Sequence, residues 1–129
     1  MRPIRLLLTF ITTTTMLFFT QKVSAQSENY LRIARIVVDS SQLESYKTAL
    51  KEGMEAAVRL EVGVLNLSAV YEKEHPTHVT VFEIYADLAA YKLHIQTPHF
   101  NKYKSAVAGM LKSLELIDVA PIALETKPK

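Results

Sequence analysis

The most informative stretch for the fold runs from Thr80 to Tyr103 and reads TVFEIYADLAAYKLHIQTPHFNKY. Its first residues are β-branched and aromatic, and they belong to a strand that we predict over 77–86. Asp87 then starts a short helix. Thr97 and Pro98 start a second one, because Thr caps helix N-termini and Pro is tolerated in the first turn. The stretch therefore predicts a strand followed by a helix that is broken in two.

The flanking sequence supplies the remaining elements. Residues 30–39 and 62–72 read as strands, and residues 115–124 as a last strand. Between the first two, Ser41 and Glu44 form a capping box that predicts a helix start. The order β-α-β-β-α-β predicts a ferredoxin-like α+β fold, an antiparallel sheet with helices on one face. The second half of the broken helix is expected to bury Phe100, Tyr103, Val107, Met110 and Leu114.

The N-terminus predicts export. Arg2 and Arg5 precede a mostly apolar run, and small residues end at Ala25, the pattern of a signal peptide over residues 1–25. A membrane anchor helix is the alternative, but four threonines at 12–15 interrupt a run already short for a bilayer. We expect a mature domain of residues 26–129 with its core at 30–124, exported to the periplasm or secreted. No membrane partner is expected after cleavage.

Composition restricts the partners of the mature chain. The chain has 15 basic and 13 acidic residues. Three of the basic residues, Arg2, Arg5 and Lys22, lie in the predicted signal peptide, so the mature chain has 12 basic and 13 acidic residues. No basic patch indicates nucleic acid, and the chain has no cysteine for disulfides or lipid attachment. A single small domain buries a modest share of its surface. Because the second sheet face is also apolar, we expect a homodimer.

Two polar side chains stand out in apolar surroundings. His94, near the end of the first short helix, is either a partly buried histidine bonded to backbone or a base facing a cleft between helix and sheet. Glu83 lies on a strand face with apolar neighbours and needs water, a partner charge or a pocket. Arg32 or Arg35 could pair with it, since buried charges are normally paired.

Other polar residues are weaker candidates. His99 lies in the first turn of a helix, where the dipole disfavours imidazolium, so we expect a neutral ring. Asn66 interrupts its strand and either donates to a ligand carbonyl or bonds to backbone. His75 and His78 flank a hairpin turn and are expected to be solvated.

The sequence predicts neither a cofactor nor a metal. His94 and His99 straddle a proline break, so they are not a helical ligand pair, and no cysteine can join them. The chain has only 3 glycines and no Gly-rich phosphate loop. A bound flavin or nicotinamide has no visible binding motif.

The residues from Glu83 to Phe100 resemble the antibiotic biosynthesis monooxygenase family. In that family a strand ending in Glu-x-aromatic leads through an acidic helix cap and small residues to a His, and then to Thr/Ser-Pro-His-Phe. The run HIQTPHF, at 94–100, is especially similar to the small bacterial quinol monooxygenases. In element order the resemblance extends over about 30–124.

The resemblance implies a dimeric α+β barrel with a pocket between the helices and the sheet of each subunit. Carried over by position, it implies that the pocket or motif residues are Glu83, Tyr85, His94, His99 and Phe100. We add Asn66 and Arg35 as substrate-binding candidates from their strand positions.

Several members of the family oxidise quinols or polyphenols with O2 and without metal or flavin. The resemblance therefore implies a monooxygenase that acts on a quinol or similar small aromatic. We assign proton acceptance to His94, with Glu83 and Tyr85 as further catalytic candidates and Tyr85 or Asn66 bonded to the substrate oxygen. A non-enzymatic module that binds a small hydrophobic ligand such as haem is the alternative, and a dimeric domain with a vestigial pocket is a third. Haem-degrading relatives use a tryptophan that this chain lacks.

Overall fold

The computed structural model describes residues 28–129, so the predicted signal peptide lies outside the described residues. Among residues 28–129, no helix is both long enough and apolar enough to cross a membrane. In chain order the elements are β1 (Tyr30–Val38), a 3-10 turn (Ser40–Gln42), α1 (Leu43–Leu60), β2 (Val64–Tyr71), β3 (His78–Tyr85), α2 (Leu88–His94), α3 (Pro98–Val107) and β4 (Leu111–Val119).

The four strands form one antiparallel sheet in the order β2-β3-β1-β4. The first and third strands are therefore central, and the two ends of the sheet are edges. The register places Arg32 opposite Glu83 and Ala34 opposite Val81. The predicted ferredoxin-like arrangement, with a broken second helix, is confirmed.

Alternation along the strands gives the sheet two different faces. The described helices pack on the face that carries the buried core, which comprises Ala34, Ile36, Val38, Val79 and Val81 from the sheet with Tyr46 and Val107 from the helices. The opposite face is also rich in large apolar side chains. It carries Ile33, Phe82, Ile84 and Ile117, all of them half-buried.

The two short helices begin where the sequence predicts. The Asp87 carboxylate accepts a hydrogen bond from the Ala90 backbone N–H at 2.8 Å, which caps α2. The Thr97 hydroxyl accepts from the Phe100 N–H at 3.2 Å, and Pro98 occupies the first position of α3. Both caps satisfy N–H groups that have no partner inside the helix.

The start of α1 differs from the prediction. The Asp39 carboxylate, not the Ser41 hydroxyl, caps this segment, and it accepts from both the backbone N–H and the hydroxyl of Ser41. A 3-10 turn follows, and α1 begins at Leu43. Asp39 takes the Ser41 N–H that the capping box would give to the Glu44 carboxylate, and it also accepts the Ser41 hydroxyl proton, so the Ser41–Glu44 capping box does not form.

The C-terminal elements also differ from the prediction. Helix α3 ends at Val107, so Met110 and Leu114 do not continue its buried stripe, and Leu114 belongs to β4. The strand predicted at 115–124 is shifted towards the N-terminus and ends before Pro121. The shift follows from pairing with β1, and a proline cannot donate to the ladder beyond it.

Two glycines allow close packing around α2 and α3. A Cβ on Gly53 in α1 would lie 3.3 Å from the Tyr103 Cβ of α3. A Cβ on Gly63, in the turn after α1, would lie only 2.5 Å from the Ala90 Cβ of α2. Helix α2 therefore rests directly on this turn, and the glycine fixes how closely α2 and its last residue, His94, approach the end of α1.

The Gly63 contact predicts a specific loss of stability. Gly63→Ala should lower the free energy of unfolding by about 1–3 kcal/mol, because the added methyl group displaces Ala90 and its helix. Gly109→Ala is the matched control, since a Cβ there meets no atom within 4 Å. Urea denaturation of both variants measures the difference. Equal stability of the two variants would contradict the proposed contact.

Candidate functional site

A cavity of about 340 Å³ lies between the helices and the sheet. Its walls are mostly apolar, with residues from all four strands and from α1, α2 and α3. The polar groups that line it are Arg32, Glu83, Tyr85, Tyr91, His94, Tyr103 and Lys104. A concave apolar space with a few converging polar groups is typical of a small-molecule site.

His94 is the buried polar residue of this region, with 7% of its surface exposed. Its ring lies against Phe100 and Tyr85, with centroid distances of 5.0 and 5.4 Å. The Thr97 hydroxyl donates to the His94 carbonyl at 2.8 Å and so closes the end of α2. Caps at both ends fix the limits of this seven-residue helix and therefore the backbone position of His94.

Glu61 connects the two histidines. It follows the last residue of α1, and its Oε2 atom lies 2.8 Å from His94 Nδ1 and 2.7 Å from His99 Nε2. All three side chains are largely buried, with exposed fractions of 12%, 9% and 17% respectively. An ionised carboxylate only accepts hydrogen bonds, so both nitrogens that face it carry a proton. In a neutral His94 ring, Nε2 is then left as an acceptor.

The next polar pair is Glu83 and Tyr85 on β3. Burial raises the pKa of Glu83, although the Tyr85 hydroxyl and the Arg32 charge act in the opposite direction. Burial and the nearby Glu83 carboxyl raise the pKa of Tyr85. The buried Tyr85 hydroxyl interacts with Glu83 but makes no hydrogen bond of good geometry among the described residues. It is therefore a neutral donor that lines the cavity.

Arg32 supplies the positive charge on the sheet wall. Its Nε donates to Asp118 at 3.2 Å, and its guanidinium donates to the Tyr91 hydroxyl while lying 4.5 Å from the centre of that ring. Arg32 stands opposite Glu83 in the register, and its charge favours ionisation of that carboxyl. Of the two arginines predicted to pair with Glu83, Arg32 lies near this carboxyl, whereas Arg35 does not.

The structure brings together most of the predicted site residues. Glu83, Tyr85, His94 and Phe100 line the cavity. His99 does not line it and instead reaches His94 through Glu61.

Two predicted residues lie outside the cavity. Arg35 points to the other face of the sheet and pairs with Glu115 at 3.8 Å, where both side chains are 64% exposed. Asn66 follows a bulge in β2, is exposed, and accepts from the Ser68 hydroxyl at 2.8 Å. The alternation of strand side chains explains both positions, since a residue one place out of phase faces away. The structure therefore does not support their inclusion in the site.

Sequence reasoning missed Glu61 and Tyr91. Glu61 carries no local signal, because an acid at the end of a helix resembles any solvated residue. It is recognisable only when α1, α2 and α3 meet. Tyr91 lies three residues before His94 on α2, a spacing that places both side chains on one helix face. This spacing can be recognised in the sequence alone.

The raised pKa of Glu83 predicts a pH-dependent stability. The folded chain binds this proton more tightly than the unfolded chain, so stability is lost as pH rises from the ordinary value of 4.5 through the raised pKa. Glu83→Gln should remove that loss and flatten the decline of the free energy of unfolding towards neutral pH. Glu115→Gln, on the exposed sheet surface, is the control. Parallel curves for the parent and Glu83→Gln would refute the assignment.

Similarity to known proteins identifies the family of this chain. The antibiotic biosynthesis monooxygenase profile matches residues 29–106. A solved structure from Bacteriodes thetaiotaomicron, provisionally named an antibiotic biosynthesis monooxygenase, is 54% identical with a TM-score of 0.75. The match covers 79% of this chain and 97% of that one. No curated protein sequence matches significantly.

More distant structures share the fold. A protein of Lactobacillus acidophilus, provisionally named a monooxygenase, is 26% identical with a TM-score of 0.71, over 74% of this chain and 46% of that one. A Nitrosomonas europaea protein, provisionally named an antibiotic biosynthesis monooxygenase, is 20% identical with a TM-score of 0.70, over 75% and 93% of the chains. The profile match over more than half of the sequence, together with the 54% identity, shows that this chain belongs to the antibiotic biosynthesis monooxygenase family.

Proposed function

We propose that this chain is an exported monooxygenase that oxidises a quinol or similar small aromatic with O2 and needs no metal or flavin for turnover. The observation that carries the proposal is the placement of His94. Its ring forms part of the wall of an apolar cavity, and Glu61 holds its Nδ1 proton. The N-terminal signal-peptide pattern supports export.

The size of the cavity favours a small aromatic substrate. An engineered apolar cavity of about 150 Å³ holds benzene. The 340 Å³ observed here therefore has room for roughly two fused rings with oxygen substituents. Phe100 and Tyr85, which flank His94, offer aromatic surfaces against which such a ring can pack.

The chemistry starts with loss of the phenolic proton. His94 Nε2 accepts it, and Glu61 stabilises the imidazolium that results, as a carboxylate does behind a catalytic histidine. The electron-rich anion then reduces O2 directly. One oxygen atom enters the ring and the other leaves as water, and the quinol supplies all four electrons as it becomes a hydroxyquinone. The balance therefore needs no separate reductant.

Charge in the cavity suits an anionic intermediate. The Arg32 guanidinium and the Tyr85 hydroxyl can both stabilise negative charge on a substrate oxygen. Burial raises the pKa of Glu83 and so disfavours a second negative charge beside a phenolate.

The activity is tested with the mature protein and a panel of quinols in air. His94→Ala should lower kcat/KM about 10²–10⁴-fold, the usual contribution of a general base. Glu61→Gln should lower it about 10–100-fold, because the imidazole loses its orienting acceptor. His75→Ala, whose side chain is 67% exposed beside the hairpin, should match the parent. Oxygen uptake and product absorbance measure the rates.

Two results would overturn this proposal. Equal rates for His94→Ala and the parent on every active substrate would remove the role of His94. Retention of an aromatic ligand or haem without turnover would favour the binding-module alternative, which the largely apolar lining of the cavity also suits.

We also propose that the protein is a homodimer. The second sheet face, away from the helices and the cavity, carries Ile33, Phe82 and Ile84. A second copy would remove such apolar surface from water. Multi-angle light scattering at micromolar concentration should give twice the mass of the mature chain. A monomer mass would contradict the dimer.

A further inference from the structure

We propose that Glu61, His94 and His99 form a binding site for one divalent first-row transition-metal ion. The proposed oxidation uses His94 and Glu61 but does not require a metal ion bound to them. Within residues 28–129, these three side chains place one possible ligand atom each within 4.8 Å of the other two. They come from the end of α1, the end of α2 and the first turn of α3.

The ligand atoms are close enough to bind one metal ion after a local rearrangement. With bonds of about 2.0–2.2 Å to the metal, neighbouring ligand atoms in octahedral or tetrahedral geometry lie about 2.8–3.6 Å apart. The carboxylate oxygen of Glu61 is 2.7 and 2.8 Å from the two imidazole nitrogens. The two imidazole nitrogens lie within 4.8 Å of each other. A metal ion would therefore need the carboxylate to move slightly away from both nitrogens and the nitrogens to lie within about 3.6 Å of each other. Three metal bonds would then replace two hydrogen bonds.

The donor set selects the class of metal. Two imidazoles and one carboxylate bind Zn²⁺, Fe²⁺, Co²⁺ and their neighbours, whereas Mg²⁺ and Ca²⁺ prefer oxygen ligands. A site with three protein ligands leaves at least one coordination position for water or another molecule. The single carboxylate also means that the ion would keep a net positive charge.

Burial and shorter distances distinguish this cluster from an exposed group of the same residue types. Glu72, His75 and His78 are the same residue types, but there the nitrogen-to-oxygen distances are 3.4 and 3.6 Å and every side chain is at least 47% exposed. The Glu61 cluster is largely buried, and helix caps fix both histidines. Glu72, His75 and His78 therefore serve as a matched control for metal binding within the same chain.

Metal binding has a consequence for turnover, and this part rests on the proposed function. An ion bound to His94 Nδ1 obliges the neutral ring to carry its proton on Nε2. The nitrogen proposed to accept the substrate proton then becomes a donor. A bound ion would consequently inhibit the metal-free oxidation, and a chelator would restore it.

The experiment uses the metal-free mature protein with Zn²⁺ in calorimetry and Co²⁺ in visible spectroscopy. We expect one ion per chain and a Co²⁺ spectrum of nitrogen and oxygen coordination. Glu61→Gln and His99→Gln should each weaken binding by about 100-fold or more, while His75→Gln should leave it unchanged. Zn²⁺ should also raise the Tm of the parent and not that of Glu61→Gln.

The outcomes separate the metal site from the proposed function. Absence of a one-to-one complex, unchanged affinity in His99→Gln and Glu61→Gln, or loss of binding in His75→Gln would each overturn the site. Binding that leaves quinol oxidation unaffected would support the site and contradict the base role of His94. Binding with inhibition that a chelator reverses would support both.

Discussion

The hydrogen bonds from His94 and His99 to one carboxylate oxygen of Glu61 are the interaction on which the site depends. They join the ends of three helices that are separate in sequence. A buried carboxylate without partners would be strongly destabilising, so the bonds also stabilise the fold at this point. The same contacts determine which nitrogen of His94 remains free to accept a proton. Stability and chemistry therefore share one set of atoms.

The surrounding fold explains why this contact forms reproducibly. Gly63 lets α2 approach the turn after α1, while Asp87 and Thr97 set where the two short helices begin. The break between α2 and α3 turns His99 back towards Glu61. On the sheet side, strand alternation places Glu83 and Tyr85 on the wall of the cavity. Each feature is local, and together they surround one aromatic-sized space.

The sequence predicted the elements better than the site. Strand composition and the caps at Asp87 and Thr97 act within a few residues, so the ferredoxin-like order and the broken helix could be predicted. The capping box at Ser41 does not form because Asp39 accepts hydrogen bonds from both the N–H and the hydroxyl of Ser41. Glu61 could not be predicted, since its role arises from helix packing and not from any short pattern. Asn66 and Arg35 lie outside the cavity because a bulge in β2 and the alternation along β1 decide which face each residue occupies.

We infer that Glu61 fixes which nitrogen of each histidine ring carries the proton. Nitrogen-15 NMR of the imidazoles, recorded with the metal-free protein at a pH where both rings are neutral, tests it most directly. We expect His94 to carry its proton on Nδ1 and His99 on Nε2, and both preferences to weaken in Glu61→Gln. A parent protein in which His94 carries its proton on Nε2, or a tautomer distribution that Glu61→Gln leaves unchanged, would contradict the account.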